Sequence, residues 1–82
     1  MDIEFDPAKD AANIAKHGVS LARAVDLEIL AVIPDERFEE PRFRAYGMID
    51  GLAHCLAFTL RGPVVRAISL RRAHRKEYRN YA

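Results

Sequence analysis

The stretch from residue 42 to residue 70 constrains the fold most, because runs of alternating apolar residues are divided there by turn-forming sequences. Asp50-Gly51 is a pair typical of two-residue β-hairpin turns, and Arg61-Gly62-Pro63 forms a second break. Consecutive strands joined by such short turns are antiparallel. The stretch therefore predicts three strands of a meander, Arg42 to Ile49, Leu52 to Leu60, and Val64 to Leu70.

The middle strand has one bulky side and one thin side. Leu52, Leu56, Phe58 and Leu60 alternate with small residues and share their side with His54. The small residues on the other side are Ala53, Cys55, Ala57 and Thr59. This pattern is typical of a central strand that a helix covers on one side.

Capping signals predict helices on either side of the sheet segments. Asp6 can cap a helix that begins at Pro7, and Gly18 can end it after His17. Its predicted buried side is Ala8, Ala11, Ala12, Ile14 and Ala15, with Lys9, Asn13, Lys16 and His17 on the other. Further elements are a short edge strand from Met1 to Phe5, a helix capped by Ser20 through Leu27, a strand from Glu28 to Ile33, and a last helix from Arg72 to Tyr81.

The predicted fold class is α+β: an antiparallel meander sheet of four to five strands, with N-terminal helices and a C-terminal helix packed on one face. Eighty-two residues predict one domain, residues 1–82. Cys55, the single cysteine, cannot form an internal disulfide, and the acidic start lacks the basic and apolar regions of a secretion signal. No run is long enough to span a membrane, so we expect a cytoplasmic protein.

The net charge of +1 hides a division along the chain. Residues 1–40 hold ten acidic and four basic residues, whereas residues 41–82 hold nine basic and two acidic ones. Eight of those nine bases are arginines, which suit bidentate contacts with phosphate. The asymmetry favours a polyanionic partner. The alternative is that the two halves pair with each other on a solvated surface.

Basic and aromatic residues concentrate at the end of the chain. On a helix His74, Tyr78 and Tyr81 form one stripe beside a second stripe of Arg72, Arg75, Lys76 and Arg79. This combination can hold phosphates and stack unpaired bases, as in single-stranded RNA binding. The alternatives are that both tyrosines pack at the edge of the core, and that Glu77 forms an ion pair with an Arg or Lys side chain one helical turn away. The three histidines lie too far apart in sequence to predict a metal site.

Three segments, FDPAKDAANIAKHG, RFRAYGMIDG and ISLRRAHRKEYRNY, resemble the BrnT family of ribonuclease toxins from bacterial type II toxin-antitoxin systems. The resemblance covers nearly the whole chain, from Phe5 to Tyr81. It implies a fold similar to RelE-type toxins, RNA cleavage that inhibits growth, and a cognate antitoxin whose ribbon-helix-helix part binds DNA. The family's Lys-His-Gly matches Lys16 to Gly18, its Arg-Arg-Ala matches Arg71 to Ala73, and its late Glu matches Glu77.

With this resemblance, we expect metal-free attack of the RNA 2′-hydroxyl on the adjacent phosphate, with no cofactor. Such a step needs a base, an acid and cations for the transition-state charge. The expected catalytic residues are Arg71 and Arg72 for the charge, Glu77 as base, and His17 as acid or base. The expected RNA contacts are Lys16, Arg42, Arg44, Arg75, Tyr78 and Arg79.

The competing hypothesis is a catalytically silent member that only binds an antitoxin or nucleic acid. Met48 stands where the family commonly has a basic residue, and Leu52 stands where it often has Arg. Both substitutions remove positive charge from the expected RNA surface. A stand-alone DNA-binding regulator is the third hypothesis, and no helix-turn-helix or ribbon-helix-helix signature supports it.

Overall fold

The computed structural model describes residues 2–79 and contains a five-stranded sheet in the order β1-β5-β4-β3-β2. Two α-helices and one 3₁₀ helix accompany the sheet. The elements in chain order are β1 (Ile3–Glu4), α1 (Pro7–His17), a 3₁₀ helix (Leu21–Asp26), β2 (Glu28–Pro34), β3 (Phe43–Ile49), β4 (Leu52–Arg61), β5 (Val64–Arg72) and α2 (Arg75–Arg79).

The predicted meander is present, but the sheet is mixed rather than purely antiparallel. Strands β2 to β5 pair antiparallel with their sequence neighbours, and Asp50 and Gly51 both adopt positive φ, as their type I′ turn requires. Strand β1 pairs with β5 in parallel, at Ile3 with Val65 and Glu4 with Arg66. Parallel pairing is possible here because the chain segment between β1 and β5 is long and contains all the other strands of the sheet.

Helix α1 has the predicted bounds and caps. The Asp6 carboxylate accepts a hydrogen bond from the backbone N–H of Ala8 at 2.7 Å. Gly18 takes φ 73°, and its N–H bonds to the carbonyl of Ile14 at 2.8 Å. The helix therefore begins and ends where local capping chemistry places it.

The predicted buried side of α1 is wrong. Ile14 is 47% exposed, whereas Asn13 is only 5% exposed. The Asn13 amide donates to the carbonyl of Leu70 at 2.8 Å and accepts from the Leu70 N–H at 3.1 Å. It also donates to the carbonyl of Val19 at 2.8 Å. Since β1 pairs with β5 only at Val65 and Arg66, Asn13 satisfies backbone groups farther along the β5 edge.

The core lies on the sheet face covered by the 3₁₀ helix. Its most deeply buried large side chains are Leu21, Leu56 and Leu70. Phe58 is also buried, as the bulky side of β4 predicted, and its ring stacks on Phe43 with centroids 5.4 Å apart. Leu52 and Leu60, at the two ends of β4, remain half exposed. Ser20 caps the second helix as expected, although this helix is a 3₁₀ helix.

The last helix begins at Arg75 rather than at the predicted Arg72. Arg71 and Arg72 belong to β5, where they pair with Cys55 and His54 of β4. Arg72, predicted as the first residue of the helix, is therefore part of the strand. Helix α2 also lies on the sheet face opposite the core, so the prediction that every helix packs on one face is wrong for α2. The predicted continuation to Tyr81 lies outside the described residues.

We predict that Asn13→Ala destabilises the protein by about 1 to 3 kcal/mol, because it leaves the Leu70 N–H and C=O without their partner. Ile14→Ala on the exposed side of α1 is the matched control and should change stability by no more than about 0.5 kcal/mol. Urea unfolding measures both. Equal losses in the two variants would contradict the orientation of α1.

Candidate nucleic-acid interface

The candidate site lies on the sheet face opposite the core. Tyr46 on β3, Cys55 on β4 and Arg71 on β5 are aligned across the sheet by strand register. Cross-strand partners share a face, so these three side chains lie side by side. Helix α2 adds Glu77 to this row, through contacts with Tyr46 and Arg71.

An ion pair between Arg71 and Glu77 forms the centre of the site. Two hydrogen bonds of 2.9 Å join the Arg71 Nη1 and Nη2 atoms to the Glu77 Oε1 and Oε2 atoms. Tyr46 Oη and the backbone N–H of His74 each donate to the same carboxylate at 3.1 Å. Chiefly because of Arg71, the pKa of Glu77 is lowered to about 2. Glu77 is therefore ionised at neutral pH.

The Glu77 carboxylate also explains where α2 starts. Glu77 lies three residues after His74, and its bond to the His74 N–H is one half of a capping box. Isolated helices shorter than ~12 to 15 residues are marginal in water, and the described part of α2 has five residues. The Arg71–Glu77 pair therefore holds α2 on the sheet and holds Arg71 in a fixed orientation.

Buried Tyr46 supports the ion pair through its bond to Glu77, and buried Cys55 lies beside Arg71 in the strand register. Tyr46 is 2% exposed, and burial raises the pKa of its hydroxyl above the usual range, so it remains a proton donor. Arg44 Nη1 donates to Tyr46 Oη at 3.3 Å. Burial likewise raises the pKa of the Cys55 thiol, which therefore stays protonated and has no thiolate to act as a nucleophile.

A second cluster of charges lies at the start of the β2–β3 loop. Arg37 donates to the two carboxylate oxygens of Asp35 at 2.8 and 2.7 Å. These bonds lower the pKa of the buried Asp35 carboxyl to about 2. Arg44 Nε lies 3.9 Å from Asp35 and, among the described residues, has no hydrogen-bond partner. Arg42 lies over the Phe38 ring, with its guanidinium carbon 3.9 Å from the centroid.

These two clusters border one cavity of about 230 Å³, which we call the arginine hollow. Four guanidinium-bearing side chains line it, and three of them are paired with carboxylates: Arg37 with Asp35, Arg42 with Glu40 and Arg71 with Glu77. Arg44 is the fourth, so the hollow and these partners together keep an excess of positive charge. Such an excess of fixed donors suits an anionic ligand. The residues that line it are Asp35, Arg37, Phe38, Arg42, Phe43, Arg44, Cys55, Ala57, Ile68, Ser69 and Arg71.

The structure separates the predicted site residues into groups. Arg42, Arg44 and Arg71 line the arginine hollow, and Glu77 contacts Arg71. Lys16 and His17 line a neighbouring hollow of about 250 Å³. The two hollows share Ile68 and Ser69 of β5, and so adjoin across this strand.

Arg72 does not join Arg71, because adjacent residues of a strand point to opposite faces. It lines a third hollow of about 300 Å³ with His17. Arg75 and Arg79 are exposed on α2, and the side chain of Tyr78 lies outside the described part of the chain. Tyr81 also lies outside it, so the stripe of aromatic residues stays a prediction.

Sequence reasoning missed Tyr46, Asp35, Arg37 and Phe38. Tyr46 falls on the thin-side face of the meander, so strand alternation alone could have placed it beside Cys55. The Asp35-x-Arg37 spacing is a weak signal for a local ion pair. Glu77 pairs with Arg71 rather than with a basic residue one helical turn away. His54 is buried, and its Nδ1 lies 2.7 Å from the carbonyl oxygen of Leu52.

The fold and the site define a small α+β protein with a basic hollow suited to nucleic acid. The sequence model of a family described as "Ribonuclease toxin, BrnT, of type II toxin-antitoxin system" matches residues 5–77. The chain therefore belongs to the BrnT family of ribonuclease toxins. Family membership implies endoribonuclease activity, an RNA substrate and an antitoxin partner.

A solved structure agrees with this assignment. The chain is similar to the ribonuclease toxin BrnT of Brucella abortus, known from a crystal structure at 1.1 Å resolution, with a TM-score of 0.71 and 30% sequence identity. The similarity covers 92% of this chain and 99% of the Brucella chain. A search of curated proteins found no match. Within residues 2–79, no helix has the length and apolar character needed to cross a membrane, and no group of three or more His, Cys, Asp or Glu residues could hold a metal ion.

The lowered pKa of Glu77 predicts a specific dependence of stability on pH. A carboxyl whose pKa is lower in the folded state stabilises the fold above its ordinary pKa, near 4.5, and this contribution is lost as pH falls through about 2. The stability difference between wild type and Glu77→Gln should therefore shrink between pH 5 and pH 2. Urea unfolding across this range measures it.

The exposed Glu39→Gln variant is the control, because it also removes one carboxylate but no described ion pair. Its difference from wild type should stay small at every pH. A Glu77→Gln difference that is constant from pH 7 to pH 2 would contradict the ion pair.

Proposed function

We propose that the protein is a metal-independent endoribonuclease toxin whose reaction centre is Arg71. The observation that carries this proposal is the Arg71 guanidinium, oriented by Glu77 at the border of a hollow that three more arginines line. Fixed guanidinium groups can stabilise the extra negative charge of a phosphorane without a metal ion. The proposed reaction is attack of the RNA 2′-hydroxyl on the adjacent phosphate, in the manner of RelE-type toxins.

Because Glu77 is paired with Arg71 in the free protein, the proposed reaction begins with the release of Glu77 from this pair. A carboxylate with a pKa of about 2 is a weak base, because a general base works best with a pKa near the operating pH. A phosphate that binds Arg71 replaces Glu77 as its partner, and the pKa of the released carboxylate then rises. Glu77 takes the 2′-hydroxyl proton, the 2′-oxygen bonds to phosphorus, and the bond to the 5′-oxygen breaks.

The leaving 5′-oxygen needs a proton, and His17 is the candidate donor because its hollow adjoins the arginine hollow. We assign Lys16, which lines the same hollow, to contact with the following phosphate. Arg72 lines the third hollow together with His17, on the sheet face opposite that of Arg71. We therefore assign Arg72 to RNA contact outside the reaction centre. Arg75 and Arg79 present further positive charge on α2.

We predict that Arg71→Ala lowers the rate of cleavage of single-stranded RNA by about 10²-fold or more, as loss of a transition-state donor does elsewhere. Arg61→Ala is the control, because Arg61 is an exposed arginine at the end of β4 that does not line the arginine hollow. Single-turnover cleavage in excess EDTA measures the rate. A folded Arg71→Ala variant with the wild-type rate would remove Arg71 from the site, and complete dependence on added divalent metal would overturn the metal-free mechanism.

The second candidate function is a catalytically silent module that binds antitoxin or nucleic acid. Leu52, in place of the arginine often found in the family, lines the hollow of Arg72 and lowers its positive charge. Failure of the wild-type chain, free of any partner, to cleave any RNA would favour this function. Retained binding of single-stranded RNA would then separate a silent binder from a misfolded protein.

We also propose that the antitoxin is a ribbon-helix-helix protein, that the complex is a hetero-oligomer in the cytoplasm, and that the antitoxin covers the basic face. A stable interface buries at least ~1,200 Å² in total, a large area for so small a chain. The exposed cations of α2 and the arginine hollow offer an acidic partner electrostatic contacts.

This inhibition predicts protection of residues 66–81 from hydrogen exchange when the antitoxin is bound. Association should also slow as salt rises, because screening weakens contacts between exposed charges. Hydrogen exchange with and without the partner measures the footprint. No protection anywhere in residues 66–81 would mean that the antitoxin does not cover the reaction centre.

A further inference from the structure

We propose that the arginine hollow binds one unpaired RNA base next to the scissile phosphate, against a platform formed by Phe38 and Arg42. This inference rests on the proposed function, because it places the reacting phosphate at Arg71. Phe38, Arg42 and Arg71 all line the same cavity, so a base on the platform and a phosphate at Arg71 belong to one binding site.

Phe38 is the first observation that points to a ligand. It is 42% exposed and lies outside the hydrophobic core, in a loop segment whose near neighbours are charged. The guanidinium carbon of Arg42 lies 3.9 Å from its ring centroid, and Glu40 holds the Arg42 guanidinium at 2.9 and 3.1 Å. The guanidinium carbon of Arg37 also lies near this ring, 5.6 Å from its centroid. Aromatic rings and guanidinium planes are the two kinds of surface on which unpaired bases stack.

The shape of the hollow is the second observation. Ala57 of β4 and Ser69 of β5, which are partners across the two strands, contribute small side chains to its lining. A cavity of about 230 Å³ is several times the ~30 Å³ that one water occupies in the liquid, so there is room for a ring system. The thin side of the central strand therefore has a function: it leaves space beside the platform.

The charges of the hollow are the third observation. Asp35, the carboxylate that lines it, is buried and bonded to Arg37 through both oxygens, so its negative charge is compensated. Arg42 is paired with Glu40 and Arg71 with Glu77, so Arg44 supplies the excess positive charge, which favours the phosphate that accompanies the base. A free aromatic ligand without a phosphate would use the platform but not this positive charge.

The test uses the fact that the chain has no tryptophan. Phe38→Trp introduces one fluorophore at the platform, and Leu60→Trp introduces one at an exposed position outside the hollow as the control. The probe is a single-stranded DNA oligonucleotide, which carries bases and phosphates but lacks the 2′-hydroxyl needed for cleavage. Stacking should quench the fluorescence of Trp at position 38 and leave Leu60→Trp unchanged, and a duplex of the same sequence should not quench either.

A second measurement separates this inference from the proposed function. Phe38→Leu keeps an apolar side chain but removes the ring. It should raise the KM for RNA by about tenfold, with a much smaller change in kcat, because it removes the stacking of one base. Phe38→Trp should bind the oligonucleotide at least tenfold more tightly than Phe38→Leu, a rescue that a merely structural role would not give.

The outcomes distinguish the two claims. RNA cleavage by wild type with an unchanged KM in Phe38→Leu would overturn the base site and leave the ribonuclease function in place. Quenching of Phe38→Trp by single strands without RNA cleavage by wild type would support the base site and overturn the catalytic function. Equal quenching by single strands and duplexes would show that the platform contacts the backbone only, and would overturn the base site.

Discussion

The bidentate pair between Arg71 and Glu77 is the interaction on which the rest of the site depends. It joins the last strand to the short helix α2, and the same carboxylate caps that helix through the N–H of His74. The buried Tyr46 hydroxyl donates a hydrogen bond to Glu77 and accepts one from Arg44, and so links the ion pair to Arg44. One carboxylate therefore positions a helix, a strand residue and a tyrosine around a single guanidinium.

This pair also connects structure with function, because it occupies the group that an RNA phosphate needs. Glu77 holds the guanidinium of Arg71 at the border of the hollow until a phosphate replaces it as the partner. Glu77 is ionised and paired in the free protein, so it becomes a useful base only after phosphate has taken its place. The proposed mechanism thus makes substrate binding the event that activates the base.

The features that sequence predicted well are those set by local chemistry. Asp6, Pro7 and Gly18 determine the bounds of α1, and Asp50-Gly51 determines the hairpin, because caps and tight turns depend on residues close in sequence. The prediction of the buried side of α1 was wrong for a non-local reason: β5 has an edge beyond β1, where the Asn13 amide bonds the backbone of Leu70. The sequence of the alanine-rich helix does not indicate that the N–H and C=O groups of Leu70 need a hydrogen-bond partner.

The candidate site was predictable by residue type but not by arrangement. The concentration of arginines in the second half indicated a polyanionic partner, and Arg42, Arg44 and Arg71 do line one hollow. Their geometry depends on Asp35 and Tyr46, whose positions follow from strand pairing. The interpretation that the two halves pair with each other also holds in part, since Arg66 pairs with Glu4 and Arg23 with Asp50.

Titration of Glu77 in the presence of a bound polyanion tests the account most directly. Carbon-13 NMR of a glutamate-labelled chain follows the carboxyl of Glu77, assigned by its loss in Glu77→Gln, with and without a saturating single-stranded DNA oligonucleotide. The account predicts that the pKa of Glu77 rises from about 2 towards its ordinary value near 4.5, because phosphate replaces it on Arg71. A pKa that stays near 2 in the bound protein would show that Arg71 remains paired, and would contradict the proposed activation of the site.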